Sequence, residues 1–464
     1  MAHYRIESDS MGKIEVPSNH YWGAQTERSL HHFAIGKELI PLPVVHSLAI
    51  LKKAAAITNL ELHMLDEMRA NLIIKAADEI ISGKLNTEFP LHVWMTGSGT
   101  QSNMNVNEVI SNRAIELSGG QMGSKAPIHP NDHVNMSQSS NDTFPTAMCM
   151  ATAIEINKHL LPTLAKFSSS LWDKAKSWDN IVKIGRTHMQ DAVPMTLGQE
   201  FSGYAHLIDD NIIRIKYALN DVYQLAVGGT AIGTGINTHK DFAVIIARHI
   251  SKLTALPFVT APNKFAAQGS HDPLVAISGA LKTLANTLYK IANDIRILSC
   301  GPRAGIHELI LPENEPGSSI MPGKVNPTQC EALAMVSVQV IANDSAITLG
   351  GASGYLEMNV YKPVMIYNLL QSINLINDSC NSFREFLLEG MEPNLKKIDA
   401  LMNNSLMLVT ALSPSIGYDK ASQMAHYANE HDCSLREANN VLKFLSDDEF
   451  KRLINPYKMA YPHN

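Results

Sequence analysis

Apolar residues at Phe201, Ala205, Ile208, Ile212, Ile215, Leu219 and Val222 alternate spacings of four and three, the seam of a long helix packed against neighbours. From Ala332 to Ala342 the pattern changes. That stretch is apolar on every face, broken by Ser337 and Gln339, and its segment carries charge only at Glu331 and Asp344. A helix buried all round is implied, and the uncharged run is too short for a bilayer span. Residues 276–297 repeat the helical habit. These segments predict a mainly α chain, with a bundle of long helices between a mixed N-terminal region and a smaller C-terminal one. At typical domain size, 464 residues suggest about three units. The boundaries expected are 1–138 for a mixed, mostly helical domain, 139–360 for the bundle and 361–464 for a small helical domain.

Composition narrows the ligand only indirectly. A net charge of −6 and a pI near 6.3 offer nothing global to nucleic acid or to an anionic membrane, so an anionic ligand must be held by local groups. The first residues lack an apolar signal core and carry Glu7, Asp9 and Glu15, which predicts a cytoplasmic protein. Cys149, Cys300, Cys330, Cys380 and Cys433 lie far apart without a Cys-x-x-Cys pair, so neither a metal nor a disulfide framework is expected.

Four polar, Gly-rich stretches separate the helices. Thr96-Gly97-Ser98-Gly99-Thr100-Gln101-Ser102-Asn103 opens a predicted helix through Val106 and Ile110; its glycines let backbone approach a ligand, yet it lacks the Lys of a P-loop, and taken alone it reads as an N-cap. His129-Pro130-Asn131-Asp132-His133 reads as a turn, not a metal-binding helix face, and Ser139-Ser140-Asn141-Asp142 before Pro145 as a helix start. Gly185-Arg186-Thr187-His188 places an imidazole ahead of a helix expected near Pro194; the His is either structural or an acid–base group. Gly317-Ser318-Ser319-Ile320-Met321-Pro322-Gly323-Lys324-Val325-Asn326 sets a cation and an amide donor between glycines, the equipment of a lid over a carboxylate or developing oxyanion.

The four stretches, in this order, together with 228–235 and 261–265, resemble the fumarase/aspartase superfamily over nearly the whole chain, and Gly-Ser-Ser-x-Met-Pro-x-Lys-x-Asn is that superfamily's signature. Within it, His188 and Gly323 resemble the metal-independent fumarases, since aspartate ammonia-lyases usually carry Gln and Ala there. An ammonia-lyase or other fumarate-releasing lyase is the alternative within enzymes, and a catalytically silent descendant like those recruited as lens proteins is the alternative outside them.

The resemblance implies reversible hydration of fumarate to L-malate through an aci-carboxylate carbanion, without cofactor or metal. By resemblance, Ser318 takes the C3 proton, Lys324 and Asn326 stabilise the serine alkoxide and the dianion, and His188 paired with Glu331 handles the leaving hydroxyl or a water. Ser98, Gly99, Thr100, Ser139, Ser140, Asn141, Thr187, Ser319, Lys324, Val325 and Asn326 would bind the dicarboxylate. His129, Pro130, Asn131 and Asp132 match a second anion site, weakened here because Ala126 and Met136 stand where relatives often have Arg and Lys. The family's homotetramer, with a twenty-helix core and active sites shared by three subunits, is the expected assembly, with neither nucleic acid nor membrane as partner.

Overall fold

The computed structural model describes residues 3–462. The chain opens with an antiparallel hairpin, β1 (Tyr4–Asp9) and β2 (Gly12–Pro17). Helices α1 (Ala24–His32), α2 (Leu42–Glu61), α3 (Glu67–Ile81), α4 (Thr100–Leu117), α5 (Ser140–Glu155) and α6 (Leu161–Ser177) follow. A second hairpin, β3 (Val182–Thr187) and β4 (Gln190–Thr196), precedes α7 (Leu197–Val222), α8 (Phe242–Thr254), α9 (Lys264–Gly269), α10 (Asp272–Leu298), α11 (Thr328–Ala352) and α12 (Lys362–Phe383). Short helices complete the C-terminal region, and every sheet among the described residues has two strands.

Packing divides the described residues into two compact units. The first contains the chain up to Pro162, Ile213–Ala285 and Val338–Asn377; the second contains Thr163–Ile212, Asn286–Ser337 and the chain from Asp378 onward. Both boundaries drawn from sequence, after 138 and after 360, fall inside the first unit.

In the first unit α2 packs on α3, α5 and α8, and its Val44, Leu48, Leu51 and Ala55 are buried at the centre. Helix α4 is buried although much of it is polar, and several of its polar groups are matched, while Gln101 Oε1, Ser102 Oγ and Asn107 Oδ1 are not. Asn105 donates to the Glu88 carbonyl, Asn112 to Glu7 and to the Tyr21 carbonyl, and Glu108 accepts from the amides of Gly23, Gln25 and Thr26. In the second unit Phe167 packs on Phe383, and Trp178, Phe201 and Tyr204 form an edge-on aromatic stack. A separate C-terminal core gathers Leu408, Leu412, Met424, Leu435 and Phe450.

The α7 seam is as its spacing predicts: Phe201, Ala205, Ile208, Ile215, Leu219 and Val222 are buried. The helix expected near Pro194 begins at Leu197, and Pro194 itself lies in β4, opposite Ile184. A proline fits because a two-stranded hairpin leaves one edge of each strand without a partner. Within this one chain helix α11 is not covered on every face: Met335, Val338 and Leu349 are 69, 58 and 70% exposed, and all-round burial of this helix is expected only with partner subunits. Its 25 residues are also long and apolar enough to cross a membrane by length and composition, although the uncharged run between Glu331 and Asp344 is short. What distinguishes it from a lipid-facing helix is its polar wiring, since Asp344 accepts from Ser278 and Lys282, and Asn343 donates to Gln371 and Ser372.

Candidate active site

In the first unit the two helix starts singled out from sequence lie side by side. Gly99, the residue before α4, has φ +79°, and a Cβ there would sit 2.2 Å from the Phe144 ring of α5. Gly97 is just as constrained, because a Cβ would fall 1.3 Å from the Val360 carbonyl oxygen. At both positions the absence of a Cβ lets the backbone pack closely against the rest of the chain. The loop's hydroxyls form a small cluster: Thr96 lies 3.3 Å from Ser98 and Ser98 2.8 Å from Thr100, with the Thr100 amide donating to the Ser98 hydroxyl.

Helix α5 starts with a capping box. Ser139 accepts from the Asn141 amide, and Asp142 accepts from the Ser139 amide at 2.9 Å. The other Asp142 oxygen receives the amides of Gly228 and Thr230 at 2.9 and 2.8 Å. Asn141 adds a bond from its side-chain amide to the Ala231 carbonyl. One buried carboxylate thus ties the Ser139–Ser140–Asn141 turn to the turn at 228–231. Burial pushes its pKa up to about 6, against the pull of its three amide donors and of Lys52. Two helix N-termini fringed by half-buried hydroxyls and amides suit a carboxylate.

In the second unit, Thr187 and Gln190 pair across the hairpin, leaving His188 and Met189 as a two-residue turn with φ of +55° and +63°. Both angles are those of a type I′ turn, which side chains other than Gly, Asn and Asp rarely adopt, and the turn presents the imidazole outward. The strand below is anchored: Lys183 bridges Glu200 and the buried Glu308 at 2.8 and 3.0 Å, and Arg186 reaches Glu308 at 2.8 Å.

The 317–326 loop closes on itself. The Gly317 amide donates to the Lys324 carbonyl at 3.0 Å, and the Asn326 side chain donates to the Gly317 carbonyl. Inside the loop the Ser318 hydroxyl oxygen receives the backbone amides of Ile320 and Met321 at 3.3 and 3.0 Å. Two amide donors aimed at one serine oxygen stabilise an alkoxide better than a hydroxyl, a contribution that the side-chain pattern could not reveal. The loop lines a cavity of about 410 Å³ shared by Ser318, Lys324, Glu313 and Glu315. Ser319, Lys324 and Val325 are exposed.

Glu331 lies in the first turn of α11, with a carboxylate oxygen 3.9 Å from Arg296. Among the described residues no hydrogen bond or ion pair joins Glu331 to His188, and neither the imidazole nor the Lys324 ammonium has a partner. Each unit therefore assembles part of the expected set: Ser98, Gly99, Thr100, Ser139, Ser140 and Asn141 in one, and Thr187, His188, the 317–326 loop and Glu331 in the other.

Residues 129–132 cap and open a single helical turn, Pro130–Val134. The His129 Nδ1 accepts the Asn131 and Asp132 amides, and the His133 Nδ1 accepts the His129 amide. The cavity of about 300 Å³ lined by His129, Pro130 and Asn131 also holds Glu7, Asp9 and Glu108 against Lys125.

Residues 12–342 match a family described as lyase, and residues 408–461 match the fumarase C C-terminus. A class II fumarate hydratase of Methanosarcina acetivorans is 56% identical over 98% of this chain and 94% of its own length. One from Thermosynechococcus vestitus is 58% identical over 97% and 96%. The crystal structure of recombinant class II fumarase from Schistosoma mansoni superposes with a TM-score of 0.97 at 44% identity, covering 100% of both chains. The mainly α fold expected of the fumarase/aspartase superfamily is the fold observed, and the chain belongs to this lyase family, among its class II fumarate hydratases.

Proposed function

We infer that this chain is a lyase that interconverts fumarate and L-malate by adding and removing water. The observation that carries the chemistry is the Ser318 oxygen held under the amides of Ile320 and Met321, in a loop that also bears Lys324 and Asn326. The hard step is removal of a proton alpha to a carboxylate, because the carbanion forms beside existing negative charge. Ser318 as alkoxide takes the C3 proton, while Lys324 and Asn326 offset the charge of the resulting aci-carboxylate. His188 with Glu331 handles the departing hydroxyl or the attacking water. Ser98, Gly99, Thr100, Ser139, Ser140, Asn141, Thr187, Ser319 and Val325 hold the two carboxylates through neutral donors and helix N-termini. Absorbance at the fumarate band, with L-malate and separately L-aspartate, tests the reading: formation of fumarate from L-malate supports it, and turnover of aspartate alone would replace it with ammonia release.

A homotetramer with a twenty-helix core and sites shared by three subunits is the assembly we propose. Its support is the exposed apolar face of α11 and the absence of a single-chain partner for His188 and Lys324 among the described residues. A fully active monomer by light scattering would sink it. We further propose a cytoplasmic location, and a three-domain division at 138 and 360. The 129–132 segment stands as a second anion site of low affinity, since the carboxylates around its cavity oppose a dianion.

A further inference from the structure

Lys52 occupies the middle of α2, amid the apolar run of Leu48, Leu51, Ala54 and Ala55, and is wholly buried. A buried ammonium is expensive unless every proton is accepted. Here three amide oxygens converge on it: Asn103 at 2.7 Å, Gln138 at 2.9 Å and Asn135 at 3.0 Å. No carboxylate lies within ion-pair distance among the described residues. Burial nonetheless brings its pKa down to about 7, with Asp142 opposing the shift.

The arrangement fixes a direction of hydrogen bonding. In its charged form Lys52 carries three donors and no acceptor, so each amide turns its oxygen toward it. For Asn103 this choice settles both ends of the side chain. The oxygen takes Lys52 and, at 3.0 Å, the Thr143 hydroxyl, and the NH2 is left facing the Ser140 hydroxyl and Asn135, each at 3.1 Å. Ser140 Oγ is therefore an acceptor from Asn103, and its own proton points elsewhere. Ser140 is the first residue of α5, beside Ser139 and Asn141, where the helix N-terminus favours an anion.

We propose that Lys52 is a positioning residue for dicarboxylate binding: through Asn103 it sets the polarity of the Ser140 hydroxyl, so that Ser140 donates its proton to a substrate carboxylate. The inference rests on the hydratase reading above, which places Ser140 among the binding groups. Lys52 itself touches no ligand. Its charge acts through one amide, and a neutral acceptor in its place would leave the amide free to flip.

Asn103→Asp is the decisive variant. The introduced carboxylate has the same size and accepts from Lys52 and Thr143 at least as well, but it can donate neither to Ser140 nor to Asn135, so it costs stability as well as the Ser140 contact. The Ser140 proton then turns inward. The KM for fumarate and the dissociation constant of succinate, a saturated dicarboxylate that does not react, should both rise about tenfold, with a smaller change in kcat and a Tm that falls by the same amount with and without the Ser140 hydroxyl. In a Ser140→Ala background the same change should alter both constants less than about twofold, because the hydroxyl it reorients is gone. Lys52→Met should shift succinate affinity in the same direction where it folds. Unchanged succinate affinity in Asn103→Asp, or an equal loss of affinity with and without the Ser140 hydroxyl, would overturn the relay. Succinate titration of the assembled protein reads this without turnover, so a wild type that binds succinate but leaves L-malate untouched would remove the hydratase reading and leave the relay standing.

Discussion

Replacing Gly97 with alanine asks how firmly the Ser98–Gly99–Thr100 loop is held. The added Cβ would lie 1.3 Å from the Val360 carbonyl oxygen and 2.2 Å from its carbon. Van der Waals contact begins at about 3.5 Å, so the two segments must part by roughly 2 Å. Both sides of the clash are backbone, and neither can rotate out of the way. The same movement breaks the bond from the Lys362 amide to the Gly97 carbonyl, 3.2 Å long. Overpacking at about 1–3 kcal/mol and one lost hydrogen bond at about 1 kcal/mol together destabilise by about 2–4 kcal/mol. The Ser98 and Thr100 hydroxyls, 2.8 Å apart, move with the loop. A misplacement of about 1 Å at a reacting centre costs on the order of 100-fold in rate. The variant should fold with a Tm lowered by several degrees and a kcat/KM for L-malate reduced about two orders of magnitude. Wild-type Tm together with wild-type kcat/KM would refute the view that this glycine is dictated by Val360.

Three further outcomes are expected. Ser318→Ala should lower kcat by about 10²–10⁴ while KM for L-malate stays within about threefold, because the first unit's carboxylate contacts remain; near-normal kcat in steady-state assays would remove Ser318 as the base. Gly323→Ala meets no atom within 4 Å but must hold φ near +76°, a strain of about 1 kcal/mol; it should still form fumarate from L-malate and release no ammonia from L-aspartate, and an ammonia signal would show that this position alone selects the leaving group. The Arg113 guanidinium holds the Glu79 carboxyl down to about 2 from its ordinary 4.5; a depressed acid stabilises the fold fully above its unfolded pKa and loses that contribution as pH falls toward the folded one. Arg113→Met should therefore be less stable than wild type at pH 6 by urea denaturation, with the gap closing between about pH 4.5 and 2, and a gap independent of pH would contradict the pair's role.

What the sequence made legible follows range of interaction. The α7 seam and the start of α5 depend on neighbours three or four residues away, and both are where the pattern places them. The strand that contains Pro194 is invisible to the local pattern, because it is fixed by Val182 to Ile184 across a turn that carries no Asn-Gly signal. Gly97 and Gly99 read as special positions, but the close approach of Val360 and Phe144 that also requires them cannot be seen from the loop's own sequence. Lys52 was passed over entirely, because its acceptors lie 51, 83 and 86 residues away. A lysine set among Leu51, Ala54 and Ala55 was the available signal. Helix α11 marks a different limit: an apolar surface can be covered by its own chain or by another copy, and hydropathy reads the same in either case.

The candidate groups also divide by the demands placed on them. Residues that bind carboxylates must hold one orientation, and Ser139, Ser140 and Asn141 are braced by buried partners whose own protons are spoken for: Asp142 takes three amides, and Lys52 gives three bonds. The groups proposed to exchange protons sit on thinly packed segments instead. His188 rides a strained turn, and Ser318 a loop whose Ile320 is 82% exposed. A proton-transfer group needs its basicity set when substrate is enclosed, not in the open chain. A loop that prearranges two amides around Ser318 but leaves Lys324 exposed can withhold the alkoxide until a dicarboxylate and, in the proposed tetramer, a neighbouring subunit shut water out. On that reasoning the braced network should survive dilution of the assembly, as succinate-independent hydrogen-exchange protection in α4 and α5, while exchange at residues 318–325 should slow only when assembled protein binds succinate. Equal protection of the loop with and without the ligand would place its ordering in the fold and not in catalysis.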